Sequence, residues 1–147
     1  MKSMWQEATR REVAERLAAL TPDRPGQWGR MTAPQMVAHV TQSFRSAVGE
    51  LPVKSRQLIL RYSPLKELII YWLPFPKNAP TAPELLALEP TEWAADVASL
   101  QALMQRFSAM DPNGVFPEHA AFGRLSAAQW GILMYRHTDH HLRQFGV

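Results

Sequence analysis

A proline-free run near the C-terminus, Ser126–Gln144, puts the strongest constraint on what this chain can fold into. Its apolar residues recur every three or four positions, the spacing of one face of an α-helix. Ser126 followed by Gln129 is a capping-box pattern at its start, and Gly146 suits its exit. At 1.5 Å per residue the run makes a rod of roughly 28 Å, enough to cross a small domain.

Trp130, Met134, His137, His141 and Gln144 share one face of that rod, with Leu133 beside them. His137 and His141 are one turn apart, so both imidazoles can point at one atom. His140 is turned about 100° from His141 and about 60° from His137. A three-histidine chelate from this helix alone is therefore not expected, and His140 reads as a surface or interface residue. His119, in the loop before the helix, can hydrogen-bond in several directions. Asp139 points away from the pair and reads as surface. Gln144 is placed to orient an imidazole or a bound water.

Three further helices complete an all-α reading of one domain, residues 1–147. Ala8–Leu20 carries the stripe Val13, Leu17 and Leu20. A second helix starts at Thr32, where Thr32 and Gln35 repeat the capping box and Pro34 fits the first turn, and it closes at Gly49. Met36, Val37, Val40, Phe44 and Ala47 form its apolar side, with His39 beside them. A third runs from about Pro90 to Met110, with Trp93, Val97, Leu100, Leu103, Met104 and Phe107 as its buried stripe and Glu92 and Asp96 at the acid-favouring end. Between them, Ser55–Arg61 reads as a strand or a helical turn. Ser63–Leu73 reads as a short helix, although Ile69–Tyr71 suits a strand on propensity. Pro74–Pro83, including Asn78 and Pro80, reads as an extended loop rimming a cleft. Trp28, Trp72, Trp93 and Trp130 are core aromatics on this reading. Substantial helices around one core make a helical bundle.

Composition narrows the chemistry. There is no cysteine, which excludes disulfides, thiolate metal ligands and cysteine nucleophiles. The formal net charge is only +3 and the basic residues are scattered, which argues against a nucleic-acid partner. No apolar run is long enough for a bilayer, and Glu7, Arg10 and Arg11 interrupt any leader-like start. A cytoplasmic protein is expected. The sequence holds no HExxH, no glycine-rich phosphate loop and no recognisable Ser-His-acid set. What remains is His39, His137 and His141. A pair on one helix and one on a neighbour can converge inside a bundle, and three neutral imidazoles suit zinc, nickel or iron(II). The competing reading leaves two of them in solvent and one satisfied in the core. Arg136 and Arg143 are candidates to hold an anionic substrate, against a solvated basic face.

Three pieces of the chain carry a likeness: WGRMTAPQMVAHVTQSF (Trp28–Phe44), PFPKNAPTAPEL (Pro74–Leu85) and HAAFGRLSAAQWGILMYRHTDHHLRQFG (His119–Gly146). Together they resemble the DinB/YfiT-like superfamily, in particular its DUF1569 branch. The superfamily pattern, a histidine on the second helix and HxxxHxxQ on the last, falls on His39, His137, His141 and Gln144. The resemblance implies a four-helix bundle in up-down-down-up order, a divalent metal on the three histidines, and a homodimer. Activities in the superfamily include thiol-dependent transferases and an isomerase using glutathione, mycothiol or bacillithiol. The expectation is a metal-dependent transferase that activates a low-molecular-weight thiol toward a small electrophilic substrate. Arg136, Arg143 and Gln144 would assist, with no nucleic acid or membrane partner. The alternative is a non-enzymatic, dimeric, ligand-binding or stress-associated bundle.

Overall fold

The computed structural model describes residues 1–77 and 81–147, so Asn78 and Pro80 of the expected loop lie outside the described residues. Among the described residues there are five α-helices: α1 (Glu7–Ala18), α2 (Ala33–Ala47), α3 (Leu65–Tyr71), α4 (Trp93–Ser108) and α5 (Ala127–Gln144). Single 3-10 turns occur at Ile59–Arg61 and Pro83–Leu86. Among the described residues there is no strand, only an isolated bridge between His119 and Gly123. The fold is all-α, but with five helices where the resemblance implied four. The extra one is α3, whose apolar side docks on α5 and on the turn Ile59–Arg61. No helix among the described residues is long and apolar enough to cross a membrane.

Local chemistry sets where the two histidine-bearing helices begin. At α2 the Thr32 Oγ1 accepts from Gln35 N–H and the Gln35 side chain accepts from Thr32 N–H, at 3.3 and 2.9 Å. At α5 Ser126 and Gln129 make the same reciprocal pair, at 3.2 and 2.9 Å. Both capping boxes satisfy amide donors that the first helical turn leaves free. Helix α4 starts differently: the Glu92 carboxylate accepts from the amides of Ala94 and Ala95.

Helix α2 is the centre of the bundle, packed against α4, α5 and the turn Pro83–Leu86, while α1 covers α5 and α4. Val13, Val37, Phe44, Leu100, Phe107 and Leu142 are fully buried where these helices meet. Each such side chain contributes about 1.5–3 kcal/mol, whereas an exposed ion pair contributes roughly 0–1 kcal/mol, so the apolar stripes hold the helices together. Trp130 is buried as expected, but Trp72 is 73% exposed. Helix α3 is too short to bury residues on two sides, and Ile70 takes the inward position instead. Asp139 also departs from expectation: it is largely buried between Arg16 (2.7 Å) and Arg143 (3.0 Å), tying α1 to α5.

The N-terminal segment crosses α5 at Gly131. Met4 N–H donates to Gly131 O (3.0 Å), Trp5 Nε1–H donates to Ala127 O (2.7 Å), and the Trp5 ring packs 4.7 Å from Phe107. A Cβ on Gly131 would overlap the Trp5 ring and Ser3 Oγ. Alanine gains about 1 kcal/mol of helix propensity. Displacing Trp5 outweighs that gain, and Gly131→Ala is expected to lower stability by about 1–2 kcal/mol net. A urea melt checks it; a raised midpoint would contradict this packing.

Candidate metal centre

His39 enters the core from α2 and is 4% exposed; His137 and His141 approach it from α5. Their ring centroids are 5.0, 4.8 and 4.8 Å apart in the three pairings. The Nε2 atoms converge more closely. His137 Nε2 lies 3.1 Å from His39 Nε2 and 3.2 Å from His141 Nε2. Nitrogens bound about 2.0–2.1 Å from one cation stand roughly 3 Å apart, so these two separations have ligand dimensions, and ligand atoms of all three residues lie within 4.8 Å of one another.

The outer nitrogens explain which way the lone pairs face. His39 Nδ1 is 3.2 Å from the carbonyl of Leu85, which can only accept, so the proton sits on Nδ1 and Nε2 is bare. Gln144 fixes His141 in the same way. Its Nε2 donates to Trp28 O (2.8 Å), which turns its Oε1 to His141 Nδ1 at 2.9 Å. His141 therefore also presents a bare Nε2. One proton on His137 Nε2 can bridge only one of the two gaps, leaving the other as two facing lone pairs. A cation at the centre relieves both. The donor set fits a divalent metal of the zinc, nickel or iron(II) type.

Electrostatics keeps these imidazoles in the ligating, neutral form. Burial lowers the His39 pKa, partly opposed by its bond to Leu85 O. His141 is pushed down to about 3, first by burial and then by His39. Burial, followed by the neighbouring imidazoles, holds His137 well below its ordinary value. No imidazolium proton need be lost at neutral pH before a metal binds; a proton on His137 Nε2 need only shift to its Nδ1.

The three histidines lie in the wall of a cleft of about 1260 Å³. His119, His140 and Gln144 also line it. His140 is half-buried, 5.3 Å from the His141 ring, and faces Trp28 and Phe75 instead of the triangle. His119 Nδ1 accepts from the amides of Ala121 and Phe122, at 3.1 and 3.3 Å. Its ring proton is thereby placed on Nε2.

The two arginines are elsewhere. Arg136 donates to the carbonyls of Ile69, Ile70 and Leu73, each at 2.6 Å, closing the C-terminus of α3. Arg143 is mostly exposed and paired with Asp139. Neither lines the cleft. Arg136 is one residue from His137, and that step turns it about 100° away on the helix. The residues that sequence reasoning missed act through their backbones: Leu85 and Trp28 offer carbonyls, which no side-chain pattern reveals. Gly29 is a partial signal. It has φ +77°, and a Cβ there would lie 2.6 Å from Gln144 Nε2, so glycine is what allows the loop to hold Gln144.

If Gln144 orients His141, then Gln144→Ala is expected to weaken metal affinity about 10–100-fold while leaving all three imidazoles present. Competition with a chelating dye reads this directly. Unchanged affinity would remove Gln144 from the site.

No curated protein and no solved structure matches the chain. A family described as "Protein of unknown function (DUF1569)" matches residues 6–146. That span holds His39, both α5 histidines and Gln144, and the chain belongs to the DUF1569 family, part of the DinB/YfiT-like superfamily.

Proposed function

We propose that the chain binds one divalent cation on His39, His137 and His141 and acts as a cytoplasmic enzyme on a small molecule admitted by the cleft. The reaction we favour is transfer of a low-molecular-weight thiol to a small electrophile. The observation that carries the metal reading is the convergence of Nε2 atoms at 3.1 and 3.2 Å, with the Nδ1 protons of His39 and His141 already committed outward. The thiol reading comes from the superfamily, as does the up-down-down-up order of the long helices. It is supported by the cleft, whose 1260 Å³ exceeds the roughly 300–1,000 Å³ of common ligand pockets and leaves room for a tripeptide-sized thiol beside a second reactant.

A bound divalent cation would favour the thiolate form of a sulfur ligand and polarise an adjacent oxygen. The protein's own groups do the rest. Leu85 O and Gln144 Oε1 hold two rings in the ligating tautomer. His119 offers an Nε2–H donor along the same cleft, fixed by its two backbone contacts. Leu133, Met134 and Phe122 give the cleft apolar walls that limit water.

Elemental analysis of tag-free protein purified without chelator is expected to give near one zinc, nickel or iron per chain, lost in His141→Ala. Near-zero content in both, with no uptake of added metal, would sink the metalloenzyme and leave the ligand-binding bundle.

The homodimer has a candidate surface. Ile59, Tyr62, Leu68 and Trp72 are 72, 63, 43 and 73% exposed, on or just past α3 and the turn packed against it. Large apolar side chains grouped this way mark an interaction face. Sedimentation equilibrium is expected to show a dimer that Trp72→Lys converts to monomer; a wild-type monomer at high concentration would refute it.

A further inference from the structure

The chain carries sixteen Lys and Arg residues, and most are engaged. Arg16 is on Asp139, Arg61 on Glu118 and Arg106 on Glu50, while Arg24 and Arg136 donate to backbone carbonyls. Among the described residues Arg11, Arg30, Lys54, Arg56 and Lys77 have no side-chain hydrogen-bond or ion-pair partner. Three of these, Arg30, Arg56 and Lys77, line the cleft, and no Asp or Glu does.

Lys77 and Arg30 are both tied to Trp28, one by contact and the other by standing two residues along the chain. Lys77 Nζ lies 4.6 Å from the Trp28 ring centroid, and that ring is 5.9 Å from His140. The Trp28 carbonyl holds Gln144. Arg30 follows Gly29, the glycine packed on Gln144. Arg56 comes from a different segment, where its backbone N–H donates to Ala120 O at 2.8 Å, next to His119 in sequence. Beside the histidines and Gln144, much of the lining is apolar, with Met31, Ile69, Phe75, Leu85, Phe122 and Met134. A cleft with cations at its rim, no carboxylates and a mostly apolar wall around its histidines is complementary to one kind of molecule.

We propose that this cleft takes an amphipathic organic anion, with its oxyanion group held by Lys77 and Arg30 and its apolar body laid along the interior. The proposal rests on the cleft being the working site, as in the reading above, but not on the metal. It also moves the anion-holding role from Arg136 and Arg143, which are engaged elsewhere, to cations contributed by loops.

Two dyes of nearly the same shape test it: 8-anilinonaphthalene-1-sulfonate, and N-phenyl-1-naphthylamine, which lacks the sulfonate. Both are titrated by fluorescence at low salt. The wild-type chain is expected to bind the sulfonate about tenfold tighter, the worth of one charge-assisted hydrogen bond at a partly dry site. The Lys77→Gln, Arg30→Gln double variant is expected to lose that preference and keep its affinity for the neutral dye. Both side chains are exposed, so the fold should survive, and an unchanged melting transition checks this. Equal affinities in the wild type, no binding of either dye, or a preference retained by the double variant would overturn the proposal. The titration is repeated on chelator-treated protein and on His141→Ala. A preference that persists there supports the rim cations whatever the metal content proves to be. A preference that vanishes there places the anion on the metal and overturns the assignment to Lys77 and Arg30.

Discussion

The contact between α2 and α5 is the constraint on which the rest of the site depends, because each helix brings only part of the histidine set. A helix that starts one residue early or late presents its side chains about 100° away from where they are needed. The capping boxes at Thr32–Gln35 and Ser126–Gln129 therefore do more than satisfy four amides. They favour one starting residue for each helix, and the buried stripes that follow set which face turns inward. His39 lies on the same inward face as Met36 and Val40, and His137 and His141 on the same side as Met134. The histidines are carried into the core by the apolar residues around them.

Burying imidazoles among such residues is costly unless their polar atoms find partners. The fold meets this with two irregular segments. The Pro83–Leu86 turn is held to α2 by Gln42 Nε2 donating to Glu84 O (3.2 Å), which brings Leu85 O to His39. The segment 24–29 is held to the end of α5 by Gln27 N–H donating to Gln144 O (2.7 Å) and Arg24 Nε donating to Phe145 O (2.7 Å). This brings Trp28 O to the Gln144 side chain. Each loop thus clasps a helix first and orients an imidazole second. The remaining polar demand falls on the Nε2 atoms, which face one another with too few protons to share.

How much of this was legible in the sequence follows from the range of the interactions. The long helices and their inward faces are written in three- and four-residue spacings, and the shared face of His137, His141 and Gln144 follows from the same geometry. The partnership of α5 with His39 is a long-range fact that spacing does not contain; the superfamily pattern suggested it, and the structure brings the three rings together. The short α3 follows from the spacing of Leu65, Leu68 and Ile69, but the same spacing puts Trp72 in a core it does not reach. Asp139 looks like a surface residue in the sequence because its partner Arg16 lies on another helix, far away along the chain. Leu85 and Trp28 could not have been found by residue type, since any residue has a carbonyl.

The misplaced arginines show why neighbours in sequence are poor guides to neighbours in a cleft. Arg136 and Arg143 adjoin the histidines along the chain, but each is turned away from them on α5. Arg136 closes the end of α3, and Arg143 completes an ion pair at the α1–α5 seam. The cations that do reach the cleft come from three separate irregular segments, at Arg30, Arg56 and Lys77. A helix must spend one face on packing, so its flanking charges turn outward to solvent or to other helices. A loop crossing the open end of the bundle has no such obligation, and its side chains can overhang the cavity. In a bundle of this kind the helices set where the imidazoles meet, and the loops decide what charge a ligand encounters on the way in.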